Sequence, residues 1–356
     1  MKLEFIKRDV LKEKPADENK LGFGRIFTDY MLMMKRNAEQ GWYYAAIEPF
    51  ANLSLSPAAT VFHYAQEVFE GLKAYRTEDG RILLFRPWDN MKRLSLSAAR
   101  ISMQSFDEEF LLNSIYELIK IEKDWIPKAP GTSLYIRPTY IGIDPFVGVA
   151  AAKEYLLYVI LSPVGAYYPK GLAPIDILVE SKYVRAVRGG TGTTKAGANY
   201  AASLLAGEEA HKKGFSQVLW LDGVEKTYVE EVGSMNIFFK IGGELITPAL
   251  QGSILSGITR DSIIRLAKDM GMPVSERRLS IHEIEKAQKD GKLEEVFGSG
   301  TAAVVSPVGK LIWGDKTIVI NDGNMGKTTR MFYDTLTGIQ YGRMEDKYGW
   351  TYELKV

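Results

Sequence analysis

Residues 187–204 read VRGGTGTTKAGANYAASL, a loop rich in Gly and Thr that leads into a predicted helix. Predicted strands at residues 175–180 and 217–221 lie on either side of it, and this alternation of strand and helix indicates an α/β or α+β chain. Small residues flank Lys195, so a ligand can approach its amine closely. Lysine forms Schiff bases with carbonyl compounds through its ε-amine, which reacts in the unprotonated form. A solvated lysine in a flexible loop would give the same sequence pattern. Lys195 is therefore a candidate whose role depends on whether other residues of a site accompany it.

The chain N-terminal to this stretch also alternates strands and helices. Apolar residues at three- and four-residue spacing predict helices over residues 88–101 and 107–123, the second with acidic residues in its first turn. Residues 133–140 and 154–161 are typical of strands. C-terminal to the stretch, the pattern predicts a hairpin over residues 235–247, a helix over 259–270 and a capping box at Ser280 and Glu283.

A segment rich in Pro and Gly separates the two halves of the chain. Residues 162–171 read SPVGAYYPKG and break the pattern of strands. At 356 residues, two domains are the first expectation. We predict an N-terminal domain over residues 1–162, an interdomain loop over 163–173 and a C-terminal domain over 174–356.

The composition excludes several classes of protein. There are 45 Lys and Arg against 44 Asp and Glu, which gives no general attraction to nucleic acid or to anionic membranes. The absence of Cys excludes disulfides and thiolate chemistry, and three scattered His make a His-rich metal site unexpected. No apolar run reaches the ~20 residues that a spanning helix needs, and the N-terminus lacks the apolar core of a secretory signal. Composition leaves Mg or Mn sites made of carboxylates alone open, and we assign no metal. We therefore expect a cytoplasmic protein without a nucleic-acid partner or a membrane span.

Further residues could join Lys195 in one site. Glu230 and Glu231 precede a predicted strand, and either could be a site carboxylate. The helix that opens near residues 256–260 and the Gly-rich turn at 298–303 could present backbone amides to an anion, with Arg93 as a charge partner. Tyr135 and Arg137 lie two apart on a predicted strand and share a face that could bind a carboxylate.

Eight segments in this order resemble the branched-chain amino-acid aminotransferases, which are fold-type IV enzymes dependent on pyridoxal 5′-phosphate (PLP). The similarity runs from about Phe23 to the C-terminus, and many motifs in order are more specific than any one of them. The segments are VFHYAQEVFEGLKAY (61–75), LFRPWDNMKRL (84–94), GTSLYIRP (131–138), VGAYYP (164–169), KAGANYAASL (195–204), EEVGSMN (230–236), ILSGITR (254–260) and FGSGTAAVVSPV (297–308).

The resemblance implies a cofactor site. Lys195 matches the lysine that forms the Schiff base with PLP and shuttles the proton. Glu231, rather than Glu230, matches the carboxylate at the pyridine nitrogen, because the family places that residue directly before Val-Gly. The other implied contacts are Arg93 at the phosphate, Tyr200 at the phenolic oxygen, the hydroxyl of Ser234, and the phosphate contacts Ile258, Thr259 and Thr301.

The resemblance also implies a substrate site and a homodimer. Arg137 would receive the side-chain carboxylate of glutamate. The hydroxyl of Tyr135 and the amides of Thr301 and Ala302 would hold the α-carboxylate. The branched side-chain pocket would contain Phe23, Phe69 and Tyr167, and the neighbouring subunit would contribute Tyr64 and Val149.

The implied fold is a two-domain fold-type IV aminotransferase with a small N-terminal α/β domain and a larger C-terminal domain that holds a pseudo-barrel sheet. The implied reaction moves the amino group of L-Leu, L-Ile or L-Val to 2-oxoglutarate by a ping-pong mechanism. A D-amino-acid aminotransferase or an aminodeoxychorismate lyase is the nearest alternative, although those relatives are shorter and lack the GTSLYIRP and VGAYYP context. A non-catalytic PLP-binding protein is a second alternative.

Overall fold

The computed structural model of the chain describes residues 1–165 and 172–355. The chain groups into two compact units, and each combines one large sheet with helices. This confirms the predicted mixed α/β class. The first unit comprises Met1–Tyr167, Thr194–Gly197 and Gly338–Val356, and the second comprises Tyr168–Thr193 and Ala198–Thr337.

One sheet forms the centre of the first unit. Among the described residues its strands follow the order β1-β3-β2-β8-β7-β5-β6-β18, and β4 pairs with β7 at the side of this path. Neighbouring strands are antiparallel except for β1 and β3. The strands are β1 (Glu4–Phe5), β2 (Tyr30–Asn37), β3 (Gly41–Pro49), β4 (Glu67–Phe69), β5 (Leu72–Arg76), β6 (Ile82–Phe85), β7 (Ser133–Gly142), β8 (Tyr155–Val164) and β18 (Thr351–Leu354).

Two amphipathic helices bury their apolar stripes against this sheet, and their ends follow from local chemistry. The carboxylate of Asp107 accepts a hydrogen bond from the backbone N–H of Phe110 and caps the second helix, as the acidic first turn predicts. Apolar residues of that helix, such as Leu111 and Ile115, are fully buried in the core. The helices of this unit are α1 (Thr60–Tyr64), α2 (Pro87–Arg100) and α3 (Glu108–Ile121), with short 3-10 helices at Glu18–Lys20 and Lys123–Trp125.

A second sheet forms the centre of the second unit. Within the described ranges its order is β11-β10-β9-β16-β15-β12-β13-β14, and β17 pairs with β16. The predicted hairpin is confirmed as the antiparallel pair β12 and β13. The strands are β9 (Ile175–Glu180), β10 (Gln217–Leu221), β11 (Val229–Val232), β12 (Asn236–Ile241), β13 (Glu244–Thr247), β14 (Val274–Glu276), β15 (Leu293–Gly300), β16 (Val304–Trp313) and β17 (Lys316–Val319).

The helices of the second half begin where the caps predict, with one difference. Ser280 Oγ accepts the N–H of Glu283, which confirms the capping box. The single helix expected after Lys195 is instead two short helices, because Ser203 donates both its N–H and its hydroxyl to the carbonyl of Tyr200 and closes a turn there. The helices are α4 (Gly197–Ala201), α5 (Leu204–Lys212), α6 (Ile258–Asp269), α7 (Ile281–Lys289) and α8 (Lys327–Gln340), with a 3-10 helix at Asn321–Gly323.

The two units do not follow the chain continuously. The segments Thr194–Gly197 and Gly338–Val356 group with the first unit, whereas the sequence alone suggested one uninterrupted C-terminal domain from residue 174. Long-range backbone pairing is the reason: Ala196 forms an antiparallel bridge with Val68, and β18 adds to the edge of β6. The predicted interdomain loop includes residues 166–171, which lie outside the described residues.

Two buried carboxyl groups, those of Asp29 and Glu122, bind the chain around the start of β2. Glu122 accepts the N–H of Tyr30. Asp29 accepts the N–H of Lys12 at 2.6 Å and the indole N–H of Trp125 at 2.8 Å. Burial, with a smaller contribution from the neighbouring Asp29 charge, raises the pKa of Glu122 to about 7.

This pair generates a prediction for stability against pH. A carboxyl whose pKa rises on folding keeps a proton that the unfolded chain releases, so the free energy of unfolding falls as the pH rises from about 4.5 to about 7. We expect Glu122→Gln to remove ~1–3 kcal/mol of that loss, as measured by denaturant unfolding at acidic and alkaline pH. The exposed Glu117→Gln on α3 is the control and should keep the wild-type slope. An unchanged slope in Glu122→Gln would contradict the assignment.

Candidate active site

Strand β4 holds the backbone of Lys195 from the side. The N–H of Phe69 donates to the Lys195 carbonyl at 3.0 Å, and Val68 pairs with Ala196 in an antiparallel bridge. The N–H of Lys195 donates to Ser97 Oγ on α2 at 3.1 Å. Its Nζ lies 4.8 Å from the centroid of the Phe69 ring. The candidate lysine is therefore fixed within the first unit, half-buried and against an aromatic surface.

Two close approaches around this lysine require glycine. A Cβ on Gly71 would lie 2.0 Å from the hydroxyl oxygen of Tyr135. A Cβ on Gly197 would lie 2.0 Å from Oε2 of Glu67. Any larger residue at either position would displace a side chain of the cluster, so these glycines set how tightly it packs.

Tyr135 and Arg137 share one face of β7, as their spacing predicts. Arg137 Nη2 donates to the Tyr135 hydroxyl at 3.0 Å, and the guanidinium carbon lies 4.7 Å from the Phe69 ring centroid. The ring of Phe23 packs edge-on against Tyr135 at 5.0 Å. The buried Nε of Arg137 has no hydrogen-bond partner among the described residues. The first unit thus brings Lys195 and four predicted substrate residues into one cluster, with a cation against apolar rings.

Arg93 is bound by a residue that the sequence analysis missed. Glu70, fully buried, accepts Arg93 Nε at 2.6 Å and Arg93 Nη2 at 2.9 Å. Its Oε2 also accepts Asn90 Nδ2 at 2.7 Å and the Gly71 N–H at 3.0 Å. Burial alone would raise the pKa of Glu70, but the charges of Arg93 and Lys195 and these hydrogen bonds lower it. A charged residue between two buried strands, within the segment VFEGL, was the available signal.

In the second unit the structure distinguishes the two adjacent glutamates. Glu231 pairs with Arg185 at 3.2 Å and accepts the N–H of Leu255 at 2.8 Å. Glu230 accepts the hydroxyl of Ser253 through one oxygen, while its buried Oε2 has no partner in the described part of the chain. Burial raises the pKa of Glu230. Of these two glutamates, Glu231 is therefore the one that forms an ion pair with an arginine, and Arg185 is a second residue that the sequence analysis missed.

The N-terminus of α6 presents backbone donors near Glu231. Gly257 is its N-cap and provides no side-chain cap, and Ile258 and the buried Thr259 form the first turn. Asn236 Nδ2 donates to the carbonyl of Leu255 and fixes the approach to the helix. A helix start of this kind attracts anions through its amides and its dipole.

The turn between β15 and β16 is the other predicted amide donor. Thr301 and Ala302 are half-buried in this turn. The hydroxyls of Ser299 and Ser306, on the two strands that it joins, are buried and have no partner within the described ranges. Buried hydroxyls without a hydrogen-bond partner are unusual in a protein core and are typical of a site where a polar ligand binds.

Of the remaining predicted residues, four belong to the described ranges and one does not. Tyr200 is half-buried in α4, and Ser234 is exposed in the turn after β11. Tyr64 donates its hydroxyl to the carbonyl of Val147 at the surface, and Val149 in the same loop is 87% exposed. Tyr167 lies outside the described residues.

The described residues include no group of three or more His, Cys, Asp or Glu side chains that could hold a metal ion. None of the helices in the described ranges is long and apolar enough to cross a membrane.

The chain is similar to known proteins over most of its length. Residues 67–311 match the family model for the class IV amino-transferases. Branched-chain-amino-acid aminotransferase 2 of Bacillus subtilis (strain 168) is 58% identical over 343 residues, which cover 96% of this chain and 94% of that relative.

Two solved structures share the fold. The branched-chain amino acid aminotransferase of Escherichia coli has a TM-score of 0.77 and 30% identity, covering 92% of this chain and 99% of that one. The branched-chain amino acid aminotransferase of T.th., complexed with N-(5′-phosphopyridoxyl)-L-glutamate, has a TM-score of 0.74 and 28% identity, covering 91% and 98%. This chain therefore belongs to the class IV amino-transferase family and, within it, to the branched-chain-amino-acid aminotransferases.

Proposed function

We propose that this chain is a PLP-dependent transaminase that moves the amino group of L-leucine, L-isoleucine or L-valine to 2-oxoglutarate. The products are the branched 2-oxo acid and L-glutamate. The observation that carries the proposal is the cluster in which Lys195, Phe69, Tyr135 and Arg137 meet, because it combines an amine, an apolar wall and a carboxylate receptor. The names of the relatives, at 54–58% identity, support the same substrates.

The donor set fits the cofactor. PLP needs an amine for its aldehyde, cationic or amide donors for its phosphate and a carboxylate for its ring nitrogen. Lys195 would provide the amine and Arg93 a cation, and Glu231 and the start of α6 would provide a carboxylate and backbone amides. The unpartnered buried hydroxyl of Ser299 supports a polar ligand beside the turn at Thr301. Tyr200 and Ser234 are proposed as hydroxyl contacts on the family resemblance alone.

Each residue has a distinct part in the proposed mechanism. When bound, the cofactor withdraws electrons from the α-carbon of the substrate. Lys195 Nζ would take the proton from the substrate α-carbon as general base and deliver it, as general acid, to the carbon that carried the cofactor's aldehyde, with the Phe69 ring against one side of the amine. Glu231, held in place by Arg185, would bind the pyridine nitrogen of the cofactor through its carboxylate.

The pocket must accept an apolar branch and an acidic chain in turn. Phe23 and Phe69 form the apolar wall, and the Arg137 guanidinium lies against Phe69 with its buried Nε unpartnered in the described part of the chain. The Tyr135 hydroxyl, with the amides of Thr301 and Ala302, would hold the α-carboxylate that both substrates share. Arg137 would then meet only the second carboxylate of glutamate or 2-oxoglutarate.

A homodimer with shared sites is part of the proposal. The surface around α1 and the loop after β7 exposes apolar side chains, which is typical of a subunit contact. Tyr64 and Val149 lie in this surface and are the residues proposed to reach the partner's pocket. The exposed members are Phe62, Tyr64, Phe146, Val147 and Val149. A cytoplasmic location stays a prediction from the composition.

The reaction is tested with a panel of L- and D-amino acids and 2-oxoglutarate, following glutamate. We expect turnover with L-leucine, L-isoleucine and L-valine and none with D-amino acids. Lys195→Ala should lower turnover by at least ~10⁴-fold, and borohydride reduction of the wild type should leave a pyridoxyl group on the Lys195 peptide. A label on another peptide, or turnover with D-amino acids only, would reject the proposal.

The role of Arg137 predicts unequal losses in the two half-reactions. Removing a charged hydrogen-bond donor costs ~1.5–3 kcal/mol, so Arg137→Ala should slow the 2-oxoglutarate half-reaction by roughly 10–100-fold. The leucine half-reaction should change by only a few-fold. Single-turnover absorbance of the cofactor separates the two, and the exposed Arg330→Gln on α8 is the control. Equal losses would count against this role.

Shared sites predict recovery of activity in mixed dimers. Lys195→Ala and Tyr64→Ala chains should each be weak alone. If Tyr64 serves the partner's pocket, a mixed dimer retains one intact site, and random mixing returns about a quarter of wild-type activity. Lys195→Ala mixed with Glu231→Gln should recover none, because both residues act in one chain's site. No recovery with Tyr64→Ala would place that residue in its own subunit's site.

A further inference from the structure

Glu70 is held by hydrogen bonds to both of its carboxylate oxygens. It is fully buried, and its two oxygens accept four hydrogen bonds. Two come from Arg93 and one from Asn90, both on α2, and one comes from the neighbouring Gly71 N–H. A carboxylate with this number of donors has a single orientation.

The contact with Arg93 is made along one edge of the guanidinium. Nε meets Oε1 at 2.6 Å and Nη2 meets Oε2 at 2.9 Å. This side-on, two-point contact defines both the position and the plane of the guanidinium. Arg93 is therefore oriented by the protein itself, and its side chain is only 13% exposed.

Stability alone is a weak reason for such a pair. Removing two charges from water costs about as much as their attraction returns, and apolar replacements of buried pairs are often no less stable. A second pair lies at the start of the same helix: Nε of Arg86, the N-cap residue, contacts Asp89 at 2.7 Å, but Asp89 is 32% exposed. The buried pair is the one close to Lys195, whose charge also acts on Glu70.

We propose that Glu70 is a positioning residue that orients Arg93 in advance as a receptor for the phosphate end of the cofactor. Because the Arg93 side chain is already ordered, it loses little rotamer freedom when it binds the phosphate. The affinity for the cofactor is therefore higher. This inference rests on the proposed function, in which Arg93 meets the phosphate. It assigns Glu70 no contact with the substrate or with the reacting atoms.

The test compares two ligands that differ in the phosphate alone. Binding of PLP and of pyridoxal to the full-length apo-protein is measured by quenching of tryptophan fluorescence. We expect Glu70→Gln to weaken PLP by roughly 10–100-fold, because a charged hydrogen-bond pair is lost, and to change pyridoxal by no more than about 3-fold. A merely structural role would weaken both ligands alike, and that result would overturn the inference.

A double-mutant cycle tests whether Glu70 acts through Arg93. If it does, Glu70→Gln combined with Arg93→Gln should bind PLP no more weakly than Arg93→Gln alone. Additive losses would overturn the inference. Asp89→Asn removes the ion pair with Arg86 at the start of α2 and is the matched control, expected to bind both ligands as the wild type does.

A milder variant covers the case in which Glu70→Gln does not fold. Asn90→Ala removes one donor to Glu70 and should cause a smaller loss that is again selective for PLP; equal losses for the two ligands would overturn the inference. A wild type that binds pyridoxal as tightly as PLP would overturn the proposed phosphate role of Arg93 and this inference with it. Selective wild-type binding with no effect of Glu70→Gln or Asn90→Ala would overturn the inference alone.

Discussion

The backbone pairing of residues 68–69 with residues 195–196 is the constraint on which the candidate site depends. One hydrogen bond from Phe69 to the Lys195 carbonyl and one bridge between Val68 and Ala196 join segments more than a hundred residues apart in the chain. Because β4 also pairs with β7, the same strand places Lys195 beside Tyr135 and Arg137. A short strand thus sets the distance between an amine, two aromatic rings and a guanidinium.

Close packing around this strand is possible only because two positions lack a side chain. Gly71 leaves the space for the Tyr135 hydroxyl, and Gly197 leaves the space for Glu67. Burial raises the pKa of Glu67, while the nearby Arg137 charge opposes that rise. The cluster therefore contains both signs of charge in a partly dry environment, where electrostatic interactions are stronger than in water.

Each unit also buries a carboxylate against an arginine. Glu70 pairs with Arg93 in the first unit, and Glu231 pairs with Arg185 in the second. In both cases backbone N–H groups add to the ion pair, from Gly71 and from Leu255. A carboxylate held by both an ion pair and a backbone N–H is fixed in direction, which is what binding a small charged ligand requires.

The sequence by itself determined the local elements and the chemistry of the candidate residues. The helices α3 and α7 follow from apolar periodicity and from caps at Asp107 and Ser280, because these interactions act within a few residues. Ordered motifs likewise singled out Lys195 and preferred Glu231 over Glu230. The tertiary structure alone decided which distant charges meet. The segment VFEGL marks Glu70 as a charge within an apolar run, but the sequence does not identify the partner of Glu70 or of Arg185, since these partners are reached only when strands and loops far apart in the chain come together. The pairing of β18 with β6 in the first sheet could not be predicted for the same reason, because long-range strand pairing depends on the whole fold rather than on any one segment.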